Sequence, residues 1–208
     1  GLFEKFQIDR LYAMHNIPGL PKGVLHFHDG ETMSAVDNWE IELTGKGSHG
    51  SMPELSIDPV VAGASLVMAL QTIVSRNISP WDNGVVTIGA FLAGNAGNVI
   101  ANSAILRLSM RNMQAETRIK VLDRIRKITA AQAECYGCTY DIREGQPGAV
   151  LVNSHEETKF AADVAKQYFG EENVVYPCKP LMSSEDFAFM LQKKPGSYIM
   201  LGIKLSPE

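Results

Sequence analysis

A chain of 208 residues is longer than one average domain and shorter than two comfortable ones, so a core carrying an inserted module is the expected organisation. Hydrophobic residues make up 45% and charged residues 20%, which is ordinary globular composition, and no apolar run approaches the roughly 18 residues that cross a bilayer. With 19 Lys and Arg against 23 Asp and Glu the net charge is -4 and no basic block stands out; this excludes the electrostatic footprint of a nucleic-acid binder and leaves a small molecule as the expected partner.

Three cysteines cannot form a dense disulfide framework, and the opening Gly1-Leu2-Phe3-Glu4-Lys5 lacks the charged-then-apolar layout of a signal peptide. A reducing cytoplasm is the expected location. Cys135 and Cys138 form a CxxC at the end of a helical pattern, but no second CxxC completes a zinc site, so a structural or incidental role is expected.

In chain order, residues 11–14 and 24–27 read as short strands. In residues 38–43 Trp39, Ile41 and Leu43 alternate with Asn38, Glu40 and Glu42, the pattern of a strand with one buried face. After a Gly-rich loop, Asp58-Pro59 is an N-cap followed by proline at the first helical position, and Val60, Ala64, Val67, Leu70 and Val74 recur at helical spacing up to Arg76. The Asp82-Asn83-Gly84 turn leads into a β-branched strand at 85–91, and an alternating run at 103–111 makes another. Ile119, Leu122, Ile125 and Ile128 stripe a helix over 116–134, which Gly137 closes before a strand at 139–143. Beyond it lie helical patterns at 156–169 and 184–192 and a buried strand at 197–201.

The order βαββαβ over residues 38–145 predicts a ferredoxin-like unit, two helices covering one face of a four-stranded antiparallel sheet. In its third strand Ala104, Leu106, Leu108 and Met110 should face the helices, which puts Arg107, Ser109 and Arg111 on the uncovered side. Residues 1–37 and 146–208 read as parts of one α/β domain that this unit interrupts. A free-standing ferredoxin-like small-ligand sensor would leave those flanks unexplained.

Five histidines can be weighed singly. His26 and His28 alternate in a strand with no carboxylate cluster close in sequence, so surface or edge positions are expected, and His155 should be solvated at a helix start. His15 falls at the end of a predicted strand where the chain turns, the place where ligands gather in open α/β sheets; a packed or hydrogen-bonded histidine is the alternative. His49 is surrounded by Gly45, Gly47 and Gly50, a loop built for close approach, against the alternative of a flexible hairpin with an incidental histidine.

The segments Met14-His15-Asn16-Ile17-Pro18-Gly19, Gly45-Lys46-Gly47-Ser48-His49-Gly50-Ser51-Met52-Pro53, Asp58-Pro59-Val60, Leu70-Gln71-Thr72-Ile73-Val74-Ser75-Arg76, Gly97-Asn98-Val99-Ile100 and Ser184-Glu185-Asp186-Phe187, in this order, resemble the landmarks of the M20 amidohydrolases, closest to the hippurate and N-acyl-amino-acid hydrolase branch. The resemblance covers nearly the whole chain. It implies an α/β metallopeptidase-like catalytic domain (1–37 and 146–208) carrying a lid and dimerisation domain (38–145), and cleavage of N-acyl or N-aroyl amino acids with two divalent ions (Zn, Mn, Ni or Co) per full-length subunit. By the same resemblance His15 ligates one ion, His49 and Asn98 reach the partner subunit's site in a homodimer to meet the scissile carbonyl, and Arg111 holds the substrate carboxylate, His49 and Arg111 both serving the site across the dimer.

The chain departs from the family's pattern at several points. The usual Cys-or-Asp and His ligand pair and the Glu-Glu that supplies a base and a ligand do not precede the His15 motif, and no histidine follows the last strand. One ligand cannot hold two ions, since a catalytic zinc takes about three protein ligands. The chain is therefore expected to be an incomplete enzyme, inactive alone, or else a dimerisation and substrate-gripping module. Ala101 and Asn102 replace a proline and an acidic residue of the pattern, a local change.

Overall fold

The computed structural model describes residues 1–204; Leu205 to Glu208, where the last histidine ligand is sought above, lie outside them. A single helical turn, α1 (Leu2–Lys5), leads into β1 (Leu11–Pro21), then β2 (Leu25–His26) and β3 (Gly30–Met33). The middle of the chain carries β4 (Ala35–Thr44), β5 (Ser48–His49), α2 (Pro59–Asn77), β6 (Gly84–Ala93), β7 (Val99–Ile100), β8 (Ser103–Asn112), α3 (Ala115–Tyr136) and β9 (Thr139–Glu144). The remainder is β10 (Leu151–Asn153), α4 (His155–Phe169), β11 (Val174–Val175), α5 (Phe187–Leu191) and β12 (Gly196–Lys204). Contacts divide the chain into two units, Val36–Gly148 and Gly1–Ala35 with the segment from Ala149 onward.

In the Val36–Gly148 unit the sheet order is β6-β8-β4-β9. The antiparallel pairs β4·β9 and β6·β8 flank the central contact, which makes the βαββαβ arrangement expected from the sequence. Ala104, Leu106, Leu108 and Met110 on β8 are buried, the last three in one core with Leu66, Leu70 and Ile73 of α2 and Val121 and Ile125 of α3, while Arg107 is exposed. The uncovered face carries an ion-pair net instead of an apolar layer: Arg107 to Glu40 at 2.9 Å, and Arg143 to Glu40 at 2.8 Å and Glu42 at 2.7 Å. The Arg107 guanidinium, assisted by Arg143, holds the Glu40 carboxyl below its ordinary range.

Two helix stripes differ from expectation. On α2 the buried side is Pro59, Ala62, Gly63, Leu66, Leu70 and Ile73, whereas Val60 and Val74 are exposed. Small residues let α2 lie close to the sheet: a Cβ on Gly63 would meet the Phe91 ring at 2.7 Å, so the ring, not a larger helix side chain, fills that space. On α3 Ile119 is exposed, and Thr117, Val121 and Thr129 are buried beside Leu122 and Ile125. A further correction concerns length. Pro59–Asn77 is 19 residues with a mean hydropathy of 1.3, long and apolar enough by length and composition to cross a bilayer, although one side packs on the unit's own sheet.

The start of α2 and the end of α3 are well specified. Asp58 Oδ1 accepts from the backbone N–H groups of Val60 at 2.8 Å and Val61 at 3.3 Å, satisfying two donors that α2 would otherwise leave unpaired. Asp58→Ala should cost about 1 kcal/mol, read as a lower urea midpoint at unchanged slope. Gly137, at φ 75°, closes α3 in the left-handed region, with Gly137 N–H and Cys138 N–H donating to Glu134 and Ala133 carbonyls. Cys135 and Cys138 are free thiols; burial pushes the Cys138 thiol up.

In the other unit the sheet order is β1-β12-β2-β11, with β1 parallel to β12 from Leu11↔Gly196 to Ile17↔Gly202. Alternate residues of β12 serve two cores: Tyr198 and Met200 pack with Phe187 and Ala188 of α5, Ile199 and Leu201 with Ala162 and Ala165 of α4. A strand buried on both faces reads as the continuous apolar run seen at 198–201. Three features depart from the sequence reading. The short β3–β10 ladder and β11 were too brief to register as periodicity. His26 is buried at 8% exposure, not at the surface, and its Nε2 has no hydrogen-bond partner; burial lowers its pKa. The helix expected over 184–192 is only Phe187–Leu191, because the Ser183 carbonyl is taken by the Ser34 N–H and hydroxyl and the Glu185 carboxylate by Tyr198, which hold residues 183–185 out of helical geometry.

Candidate active site

His49 lies on the two-residue strand β5, which pairs antiparallel with β7 so that Ser48 faces Ile100 and His49 faces Val99. Gly50 N–H donates to the Asn98 carbonyl at 2.7 Å, so the backbone of Asn98 lies against the His49 loop at the end of this small ladder. The glycines of the loop now have a physical role. A Cβ on Gly45 would strike the Ile57 carbonyl oxygen, and one on Gly47 would come within 2.6 Å of the Ile100 carbonyl oxygen. Close backbone approach, not flexibility, is what they permit.

Asn102, which the sequence marks only as a local departure from the family pattern, bears directly on the His49 loop. Its Oδ1 accepts from Gly47 N–H at 2.9 Å and its backbone carbonyl from Gly45 N–H at 2.8 Å, so it ties the His49 loop to the start of β8. An amide oxygen accepts from an N–H as a carboxylate does, which explains how Asn102 can stand in an acidic position. Ser51 bears on the ring itself: its Oγ lies 2.7 Å from His49 Nδ1 and its N–H donates to the same nitrogen at 3.2 Å. Neither is visible from spacing, because both act through backbone groups.

Arg111 is half-buried near the end of β8, paired with Val85 of β6. Eight residues of extended strand, roughly 27 Å, separate it from Ser103, where the His49 and Asn98 ladder is attached. Within this unit, therefore, His49 and Asn98 are brought together and Arg111 is not.

His15 belongs to the other unit. The structure places it in the middle of β1, paired with Met200, and not at a strand end. The Pro18-Gly19 pair that suggested a turn instead marks a register shift, Ile17↔Gly202 giving way to Pro21↔Lys204, so the strand continues past it. His15 is exposed and its Nδ1 is 2.7 Å from the Asn16 carbonyl. A backbone carbonyl can only accept, so Nδ1 carries the proton and Nε2 keeps its lone pair, the arrangement of a metal-ligating imidazole. His15 thus fits a metal as one donor. Among the described residues no three His, Cys, Asp or Glu side chains converge on a point where a metal could sit.

By register, His15 shares its sheet face with Tyr198, which lies two residues before its partner Met200. The Tyr198 hydroxyl donates to Glu185 at 2.8 Å, and Asn153 brackets the Tyr198 backbone by donating to its carbonyl at 3.0 Å and accepting from its N–H at 2.7 Å. Partial burial pushes the Glu185 carboxyl up, but hydrogen bonds from Tyr198, from Asp186 and from the backbone N–H groups of Asp186 and Phe187 outweigh it and hold it below its ordinary range. Asp186, hydrogen-bonded to Glu185, is pushed up. The remaining histidines are structural: His28 Nδ1 meets the Cys178 carbonyl at 2.6 Å and His155 Nδ1 meets Asp29 at 2.6 Å.

The architecture is that of an α/β unit interrupted by a βαββαβ module, which carries His49 on β5 and Asn98 just before β7. The family model described as peptidase family M20/M25/M40 matches residues 1–207, and the chain belongs to that family. It is 40% identical over 201 residues to a hippurate hydrolase of Campylobacter jejuni, covering 97% of this chain and 52% of that protein. It is 35% identical to an N-acetyldiaminopimelate deacetylase of Lactiplantibacillus plantarum, covering 94% of this chain and 50% of that one. Among solved structures, a dinuclear metal binding peptidase of the M20 family from Bacillus subtilis superposes with a TM-score of 0.74 at 26% identity, over 97% of this chain and 50% of that one. The chain spans about half the length of the curated relatives it matches.

Proposed function

We propose that this protein acts in metal-dependent hydrolysis of the amide bond of N-acyl or N-aroyl amino acids, hippurate-like substrates included. The observation that carries the reading is the β5–β7 ladder, which sets His49 beside Asn98 in a chain of the M20 family. Water adds across the amide, the C–N bond breaks, and the products are a carboxylate and a free amino acid. A divalent metal pair (Zn, Mn, Ni or Co), when bound, supplies Lewis acidity and an activated water. His15 offers Nε2 to one ion. His49 donates a hydrogen bond to the oxyanion that forms as water attacks, Asn98 helps to orient the scissile carbonyl, and Arg111 grips the free carboxylate through its planar fork.

Arg111 stands at the opposite end of β8 from the His49 ladder, so one small substrate cannot meet both from a single chain. A homodimer through the 38–145 module resolves this, with Arg111 no longer acting across the dimer as the family resemblance implies: one subunit supplies His49 and Asn98 to a site and the other supplies Arg111. Its support is the edge position of β6 and the exposed apolar Val61, Met68, Phe91 and Leu92 on α2 and β6. A cytoplasmic location goes with this reading.

The second reading, a dimerisation and substrate-binding module without turnover, is favoured by the lack, among the described residues, of three metal-ligating side chains that converge. Calorimetric titration of the 208-residue chain with Zn²⁺ and Mn²⁺, alongside release of glycine from hippurate, separates the two. Weak metal binding without turnover is expected of the chain alone, with turnover appearing when the ligand-bearing segments of a family catalytic domain are joined to it. Absence of turnover in that joined protein, with metal bound, would leave only the second reading.

A further inference from the structure

We propose that Ser51 is a positioning residue that sets the ring tautomer of His49, keeping Nδ1 as an acceptor and the proton on Nε2. The inference rests on the role given to His49 above and adds the group that prepares it. A backbone N–H can only donate, and Ser51 N–H points at His49 Nδ1 at 3.2 Å, so Nδ1 holds a lone pair. The Ser51 hydroxyl, 2.7 Å from the same nitrogen, then donates as well. A neutral imidazole has a single N–H, which must therefore sit on Nε2. An oxyanion needs a donor; the other tautomer would turn a lone pair toward it.

The turn that makes this contact is held from both sides. Met52 N–H donates to the His49 carbonyl at 2.8 Å, and the Ser48 hydroxyl to the Met52 carbonyl at 3.0 Å. Gly50, between His49 and Ser51, is tied to the Asn98 carbonyl at 2.7 Å, and a Cβ there would come 3.1 Å from that oxygen. The same ladder that places Asn98 thus brings Ser51 onto the ring.

The test reads the proton directly. Long-range ¹H–¹⁵N correlation of the histidine rings in the 208-residue chain, at a pH where imidazole is neutral and with His49 assigned by its loss in His49→Gln, should show His49 as Nε2–H. Ser51→Ala, which keeps the N–H but removes the hydroxyl, should give mixed tautomers, and Ser51→Thr should restore Nε2–H. In the catalytically competent protein Ser51→Ala should lower kcat roughly five- to tenfold with KM unchanged, again recovered in Ser51→Thr. An Nδ1–H signal in the unsubstituted chain overturns the proposal, and an unchanged tautomer in Ser51→Ala overturns the part given to the Ser51 hydroxyl and leaves the tautomer to the Ser51 N–H alone. Its failure is distinct from that of the functional reading: if the ring is Nε2–H but His49→Ala turns over at full rate, Ser51 sets the tautomer and His49 has no part in turnover. If His49→Ala is inactive while the ring is Nδ1–H, His49 acts and Ser51 does not set it.

Discussion

His49→Ala should lower kcat by roughly 10²- to 10³-fold in the catalytically competent protein while KM changes little, because the imidazole meets a charge that exists only after water has attacked. Arg111→Ala should chiefly raise KM, at about 2–5 kcal/mol if its ion pair with the substrate carboxylate is desolvated, since that carboxylate is present in ground and transition state alike. The two variants also test the dimer. With the His49 ladder at the start of β8 and Arg111 near its end, the proposed dimer has the two side chains of one subunit serve different active sites. A mixed dimer of His49→Ala and Arg111→Ala subunits then has one site with an intact histidine and an intact arginine, and the other with neither. Mixing the two impaired proteins should therefore restore turnover. If mass measurement verifies subunit exchange and the mixture stays impaired, His49 and Arg111 serve one site from one chain, and the division of β8 between two sites is wrong.

Arg118→Met should destabilise the Val36–Gly148 unit by about 3–5 kcal/mol. Arg118 forks onto Asp37 with both contacts at 2.6 Å, and the Asp37 side chain is 2% exposed. The pair ties β4 to the first turn of α3, and Asp37 raises the Arg118 pKa further above its ordinary value, so the guanidinium stays charged throughout the accessible pH range. Removing the arginine strands a carboxylate that water cannot reach. Replacing both partners, Asp37→Leu with Arg118→Met, should recover most of the loss, because a well-packed apolar pair avoids the desolvation that two charges suffer. Urea unfolding at constant slope gives both numbers. A single variant within 1 kcal/mol of the parent would show that water or another cation reaches Asp37, and would remove this account of how β4 and α3 are joined.

The sequence by itself determined much of the inserted module. Trp39, Ile41 and Leu43 alternate over a strand long enough to fix one buried face, Asp58-Pro59 is an N-cap and first-position pair that marks a helix start, and the Ala104-to-Met110 alternation assigned Arg111 to the uncovered face. Periodicity is legible when an element is long and buried on one side. Glycines crowded around His49 likewise announced a place where backbones meet, though not which ones.

What only the tertiary structure decided involves backbone atoms or partners distant in sequence. His15 looked like the end of a strand because Pro18 and Gly19 punctuate the chain, and only pairing with β12 carries β1 through them. The ladder of β5 and β7 is two residues on each side, too short for any period, yet it sets His49 beside Asn98 across about fifty positions of sequence. The separation of Arg111 from that ladder is a property of strand length, invisible in a motif in which Asn98 and Arg111 stand only thirteen residues apart. Ser51 escaped notice, and Asn102 stood out only as a departure from the pattern, because such effects are delivered through an N–H and a short oxygen, groups that every residue or many residues possess, and only geometry singles out the Ser51 groups that point at the imidazole.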